Sequence, residues 1–327
     1  MPRCAICVRG AGLVRGRLVY ECCVNVGMGW VCGGRLSGMN RALVALLISF
    51  ACLAGCHAPS RVPVGKVSPR IPDGVTVVQF PGGDRDVTLE GWWIQAPPDE
   101  DLTAEQLEAF YKRRAVTVVY CHGVYESQDG VSTWLLADAG YSVLTFDYRG
   151  FGHSTMKRKT NEGMARDAMA ALRYVRSRDD VDADRVAVFG HSMGAAYALS
   201  MGADAHKAGE PVRAVVAASG FSSWRRAADA VLPVVGLLVA YTDGRDPVDN
   251  AAKLGETPLL VAHCPEDDVM PVSNARRIFH AAESAKVPAT LLLNSDEMGG
   301  HELPYSWDGA FAHAIVAFID AHTQARE

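Results

Sequence analysis

From about residue 75 the apolar positions switch repeatedly between two periods. Short β-branched runs occupy residues 75–80, 87–95, 116–121, 142–146, 185–189, 212–217, 258–263 and 289–293. Several are apolar at every position, as expected of parallel strands covered on both faces. Between them, residues 161–178, 194–206, 273–285 and 304–322 carry helical spacing. In the second of these, Ala195, Ala196 and Leu199 offer a small apolar face for close packing. Strand–helix alternation from residue 116 onward predicts a mostly parallel, doubly wound α/β sheet of eight strands. The first two runs have little between them and predict an antiparallel edge. Residues 75–327 therefore read as one domain.

Composition agrees with a packed body and divides the chain in two. The 327 residues are 49% hydrophobic and 21% charged, which excludes a disordered, collagen-like or coiled-coil protein. The first 55 residues hold six Arg and one Glu, whereas the remainder holds 26 basic and 36 acidic residues. An acidic body argues against a nucleic-acid partner, which would call for a basic stripe. Of the 9 Cys, only Cys121 and Cys264 lie beyond residue 56, so no disulfide framework is expected.

The front end reads as a leader. From Met39 the sequence has a basic start at Arg41, an apolar run over residues 42–52, and then Leu53-Ala54-Gly55-Cys56. That order is the layout of a secretory signal, and the run is short for a membrane span. The last four residues resemble the lipobox of bacterial lipoproteins, which implies lipid on Cys56 and a signal peptide over residues 39–55. His57 after the Cys, by the same resemblance, favours the outer membrane of a Gram-negative cell. Residues 1–38 show no periodicity and are expected to be a start-site extension, with translation beginning at Met39. Four prolines (Pro59, Pro63, Pro69 and Pro72) make residues 56–74 an extended tether.

The chemistry concentrates at strand ends. Gly190-His191-Ser192-Met193-Gly194 follows one strand run and opens a helix, the context in which G-x-S-x-G forms a nucleophile elbow. The turn is so tight that side chains at Gly190 and Gly194 would collide. Ser192 then needs a base to take its proton and a carboxylate to orient that base, in the chain order Ser, acid, His. The run 258–263 leads into Glu266-Asp267-Asp268, where Asp267 is the expected acid, Asp268 its rival and Glu266 a solvated charge. After the last strand run, Gly299-Gly300-His301 offers the base; His280, His313 and His322 lie on helical stretches and read as structural or exposed. The oxyanion hole should use the N–H of Met193 and of Val124, with Gly123 opening the approach. His122 is expected to brace that loop, and Glu126 to be a solvated loop carboxylate. No metal-ligand spacing occurs, so no metal or other cofactor is expected.

These motifs together resemble the serine α/β-hydrolases, specifically the serine aminopeptidase-like and monoacylglycerol lipase-like group. The likeness covers residues 75–325 through His122-Gly123, the stretch 146–154, the elbow, the stretch 263–271 and Gly299-Gly300-His301. It implies the α/β-hydrolase fold, and structural roles for Asp147 and Arg149. Two departures stand out: Cys264 replaces the usual Gly after the strand-end His, and only a short cap, residues 219–256, stands where the group carries a long lid. The apolar run 231–240 in that cap suits either an acyl pocket or core packing. The implied function is hydrolysis of carboxylic esters, with a small ester or lipid-like substrate and a membrane partner through Cys56. A serine peptidase, an acyltransferase and a non-catalytic envelope scaffold are the alternatives.

Overall fold

The computed structural model describes residues 71–124, 126, 131–231, 244–293, 300–301 and 309–324, and the backbone of three strands nearer the N-terminus. The chain divides into two units, residues 1–60 and 61–327. The first contains β1 (Ile6–Val14), β2 (Arg17–Asn25) and β3 (Trp30–Cys32), paired antiparallel in that order. Periodicity did not predict these strands. Glycines at 10 and 12 and the adjacent Cys22 and Cys23 interrupt the alternation that would mark them. The leader, Cys56 and residues 57–70 of the proline tether lie outside the described residues.

The second unit opens with β4 (Val75–Pro81) and β5 (Thr88–Ile94), followed by α1 (Ala104–Arg114) and β6 (Thr117–Cys121). Next come α2 (Val131–Asp138), β7 (Ser142–Phe146), α3 (Asn161–Arg176), β8 (Val186–His191), α4 (Met193–Lys207) and β9 (Ala214–Ala218). The cap contributes α5 (Trp224–Val231) and α6 (Pro247–Ala251). The chain then runs through β10 (Leu259–His263), α7 (Ser273–Ser284), β11 (Ala289–Leu293) and α8 (Ala310–His322). Strands β4 to β11 form the eight-stranded sheet, ordered β11-β10-β9-β8-β6-β7-β5-β4. Both pairings of β5 are antiparallel and the pairings from β7 to β11 are parallel, so the antiparallel edge lies where it was expected.

Local signals explain the helix starts. Thr103 caps α1 by accepting from Gln106 N–H while the Gln106 side chain returns a bond to Thr103 N–H, a capping box. Thr160 caps α3 through Gly163 N–H. The central strands are buried at every position, because alternate residues feed separate cores on the two faces. Val119, Leu144, Val188, Val215 and Val261 meet α3, α4 and α7 on one face. Val118, Val143, Phe189, Val216 and Leu260 meet α2 and α8 on the other. Continuous apolar runs rather than alternating ones are the sequence signature of that two-sided burial.

The turn after β7 is fastened from inside. Arg149 is buried and donates to Asp167 through Nε (2.8 Å) and Nη2 (2.7 Å), and also pairs with Asp84. Asp167 accepts in addition the N–H groups of Arg149 and Gly83 at 3.0 Å each. Loss of Arg149 would strand a buried carboxylate, so Arg149→Met should cost about 3–5 kcal/mol in urea denaturation. The double variant Arg149→Met with Asp167→Asn removes both charges, keeps an acceptor for one of the two N–H groups, and should lose less than the single variant.

Candidate active site

Ser192 is the single residue between β8 and α4, and its backbone is left-handed, at φ 54° and ψ −117°. A non-glycine residue holds such a conformation only where surrounding structure imposes it. Here a Cβ on Gly190 would overlap the Gly194 carbonyl, and one on Gly194 would overlap the Cys121 carbonyl. The elbow therefore packs backbone on backbone, and Ser192 N–H is pinned to Ala218 O at 2.9 Å. Because β6 and β8 are neighbours with Cys121 opposite Gly190, the loops after both strands meet at the carboxyl end of the sheet. The strand order reverses there, the place where open α/β sheets bind ligands.

His301 and Asp267 reach the same spot. His301 Nε2 lies 2.9 Å from Ser192 Oγ, and His301 Nδ1 lies 2.9 Å from Asp267 Oδ2 and 3.2 Å from Oδ1. A carboxylate only accepts, so Nδ1 carries the proton and Nε2 is left to accept from the serine. The imidazole is thus in the tautomer a general base requires. Asp267 Oδ1 also accepts from the N–H groups of Met270 (2.6 Å) and Val269 (2.9 Å). Burial pushes its pKa up, but the His301 and Met270 hydrogen bonds and the nearby imidazoles outweigh that and hold it below the ordinary carboxylate range. Of the three acids in this loop, the structure brings Asp267 to the histidine and leaves Asp268 and Glu266 exposed. Cys264 does not displace the loop: its carbonyl accepts from Asp267 N–H at 3.2 Å and its Sγ contacts Glu266.

The remaining sequence candidates fall as follows. Met193 opens α4 directly after Ser192, Val124 follows Gly123 on the loop after β6, and neither backbone N–H is spent on a hydrogen bond among the described residues. Gly123 N–H, by contrast, is taken by Glu126 Oε2 at 2.9 Å. A Cβ on Gly123 would lie 3.4 Å from Ser192 Cβ, an ordinary contact whose cost would fall on a substrate rather than on the fold. His122 is buried against Tyr148 and Phe151, with Nδ1 2.7 Å from Gly123 O, which suits a brace. His280 and His313 are exposed, and His322 packs on Phe318. The run 232–240 of the cap lies outside the described residues. A cavity of about 660 Å³ runs along α4, past Tyr197, Ser200, Trp224 and Arg245, and its lining includes none of Ser192, Asp267 and His301.

One expectation is corrected. Glu126 is not a solvated loop charge: it is mostly buried and accepts from Tyr120 Oη and Gly123 N–H, 2.9 Å each, and contacts His191 Nδ1 at 2.8 Å. Burial pushes its carboxyl up, yet the His191 contact and the Gly123 N–H lower it from 4.5 to about 2. The sequence reading also gave no role to His191 or His263. His263 is fully buried, its Nε2 2.7 Å from Met270 O and 3.3 Å from Asp267 Oδ2. Burial lowers its pKa and keeps it neutral. The available signal was positional: His191 fills the variable place of the elbow motif, and His263 ends the strand that carries the acid.

With this geometry in place, four likenesses carry weight. The sequence pattern of the prolyl oligopeptidase family matches residues 127–326. The uncharacterized protein YfhR of Salmonella typhi is 32% identical over 311 residues, which cover 89% of this chain and 99% of that protein. The lysophosphatidylserine lipase ABHD12 of Danio rerio is 24% identical over 245 residues, 69% of this chain and 60% of its own. Among solved structures, the Pyrococcus furiosus esterase Pf2001 superimposes with a TM-score of 0.63 at 16% identity, covering 80% of this chain and 97% of its own. That last likeness establishes the α/β-hydrolase fold.

The acid assignment separates two adjacent residues. Asp267→Asn should cut kcat by about 10⁴ by disturbing the His301 tautomer, whereas Asp268→Asn should leave kcat within about twofold. Steady-state kinetics on one ester substrate ranks the two.

Proposed function

Since the chain belongs to the prolyl oligopeptidase family of serine hydrolases, we propose that it cleaves carboxylic esters through an acyl-enzyme on Ser192. The hydrogen-bonded series Ser192–His301–Asp267 carries the proposal. Ser192 Oγ attacks the ester carbonyl as its proton passes to His301 Nε2, and Asp267 stabilises the imidazolium. The N–H groups of Met193 and Val124 receive the developing oxyanion; loss of such a donor costs about 10²–10³ in rate. His301 returns the proton to the departing alcohol, and water repeats the sequence to free the acid.

Ester rather than peptide is supported by how the carboxylates are used. An enzyme that trims the amino end of a peptide needs an anion facing the substrate ammonium. Asp267 and Glu126, the carboxylates buried against the catalytic histidine and the oxyanion loop, have both oxygens engaged by protein donors. The lipase named among the relatives favours a lysophospholipid-like ester. The family description favours peptide cleavage, which is the second reading. An alcohol that outcompeted water at the acyl-enzyme would make the same site a transferase.

Lipid attachment at Cys56, holding the enzyme at a periplasm-facing membrane surface, belongs to the same proposal, because it brings the serine to amphiphilic esters. The lipobox-like Leu53-Ala54-Gly55-Cys56 supports it.

Two measurements test these readings. Nitrophenyl esters from acetate to dodecanoate should be turned over by the protein and not by Ser192→Ala, while an aminoacyl anilide in the same assay stays uncleaved. Anilide cleavage without ester turnover would establish the peptidase instead. In a lipoprotein-processing bacterium, the unaltered chain should incorporate labelled palmitate and Cys56→Ser should not; equal labelling of both removes the anchor.

A further inference from the structure

The network beside the triad has a property that follows from counting its protons. His191 is 2% exposed and sits between two acceptors: Nδ1 is 2.8 Å from Glu126 Oε1, and Nε2 is 3.0 Å from the backbone carbonyl of His301. A carbonyl oxygen never donates, so Nε2 must carry a proton. An ionised carboxylate never donates either, so Nδ1 must carry one as well. A neutral imidazole satisfies only one of the two contacts.

We infer that Glu126 and His191 form a buried ion pair, carboxylate with imidazolium, that positions the general base by holding the His301 backbone. His301 lies outside any helix or strand, so ladder hydrogen bonds do not fix its carbonyl; His191 Nε2 does. Glu126 meanwhile grips Gly123 N–H and Tyr120 Oη, so one carboxylate ties the oxyanion loop, the end of β6 and the elbow together. Through His191 the tie continues to the base. The alternative, a protonated Glu126 donating to a neutral His191, is opposed by the Tyr120 and Gly123 donors, because hydrogen bonds given to a carboxylate favour its ionised form. The other titratable groups around the pair are His122, His301, Asp267 and His263, the last kept neutral by burial. Charge-assisted bonds of this kind are stronger and more directional than neutral ones, which suits a positioning role. Glu126 and His191 touch no reacting atom; they act through His301 and the oxyanion loop.

Deprotonating His191 at Nδ1, or replacing the Glu126 carboxylate by an apolar group, breaks the bond that steadies the ring and lets His301 drift from Ser192. A displacement of about 1 Å in a catalytic group can cost up to about 100-fold in rate. The inference rests on the serine-hydrolase reading but on no particular substrate, so its test uses a fluorophosphonate that labels Ser192 directly. Glu126→Leu should lower the maximal labelling rate by about 10- to 100-fold while leaving the reagent's half-saturating concentration within about twofold. Nitrogen-15 histidine NMR of the unaltered protein, with His191→Gln to assign the signals, should show both His191 ring nitrogens protonated at pH 7.5. A single protonated nitrogen on His191 at that pH, or an unchanged labelling rate in Glu126→Leu, overturns the proposal. If Glu126→Leu does not fold, the NMR result alone decides it. Absence of ester turnover alongside slowed labelling would remove the ester reading and leave the ion pair standing.

Discussion

The left-handed backbone of Ser192 is the constraint on which the rest of the site depends. A strand that turns into a helix through one residue has no room for side chains at the flanking positions, and Gly190 and Gly194 supply that room. The strain is held by the sheet below. Ser192 N–H is tied to β9, and Gly194 rests against the end of β6. In return the hydroxyl stands at the head of α4, where orphaned helix N–H groups face the reacting atoms.

Around that turn the fold gathers three loops that are far apart in the chain. Residues 123–126 follow β6, residue 267 follows β10, and residue 301 follows β11. Each loop is held by a carboxylate whose charge is balanced at close range. Asp267 orders its own turn through Val269 and Met270 while orienting His301, and Glu126 orders the oxyanion loop while meeting His191. Arg149 with Asp167 does the same for the turn after β7, away from the chemistry. Burial raises the cost of leaving any of these charges unpaired, and that makes each loop geometry specific.

Several parts of this arrangement were legible in the residues alone. Apolar runs at 116–121, 142–146 and 258–263 marked buried parallel strands, and their limits moved by only a residue or two. A helix was expected over residues 304–322, and the structure starts it at Ala310, after an extended N-cap at Gly309. The elbow was readable because its glycines and serine are fixed by local sterics. Asp267 could be narrowed to a loop of three acids but not separated from Asp268 by spacing, since adjacent residues in a turn point in different directions.

What the sequence by itself determined is everything set by short-range physics: two-sided burial of the strands, the helix caps, the strained serine, and the order of nucleophile, acid and base. What only the tertiary structure decided is which groups share a hydrogen bond across 34, 65 or 110 residues of chain: Asp267 with His301, Glu126 with His191, His191 with the His301 carbonyl. A loop glutamate and an elbow histidine look like surface residues until the sheet brings their loops together. Burial then turns two unremarkable side chains into a pair whose protons are fixed by what surrounds them.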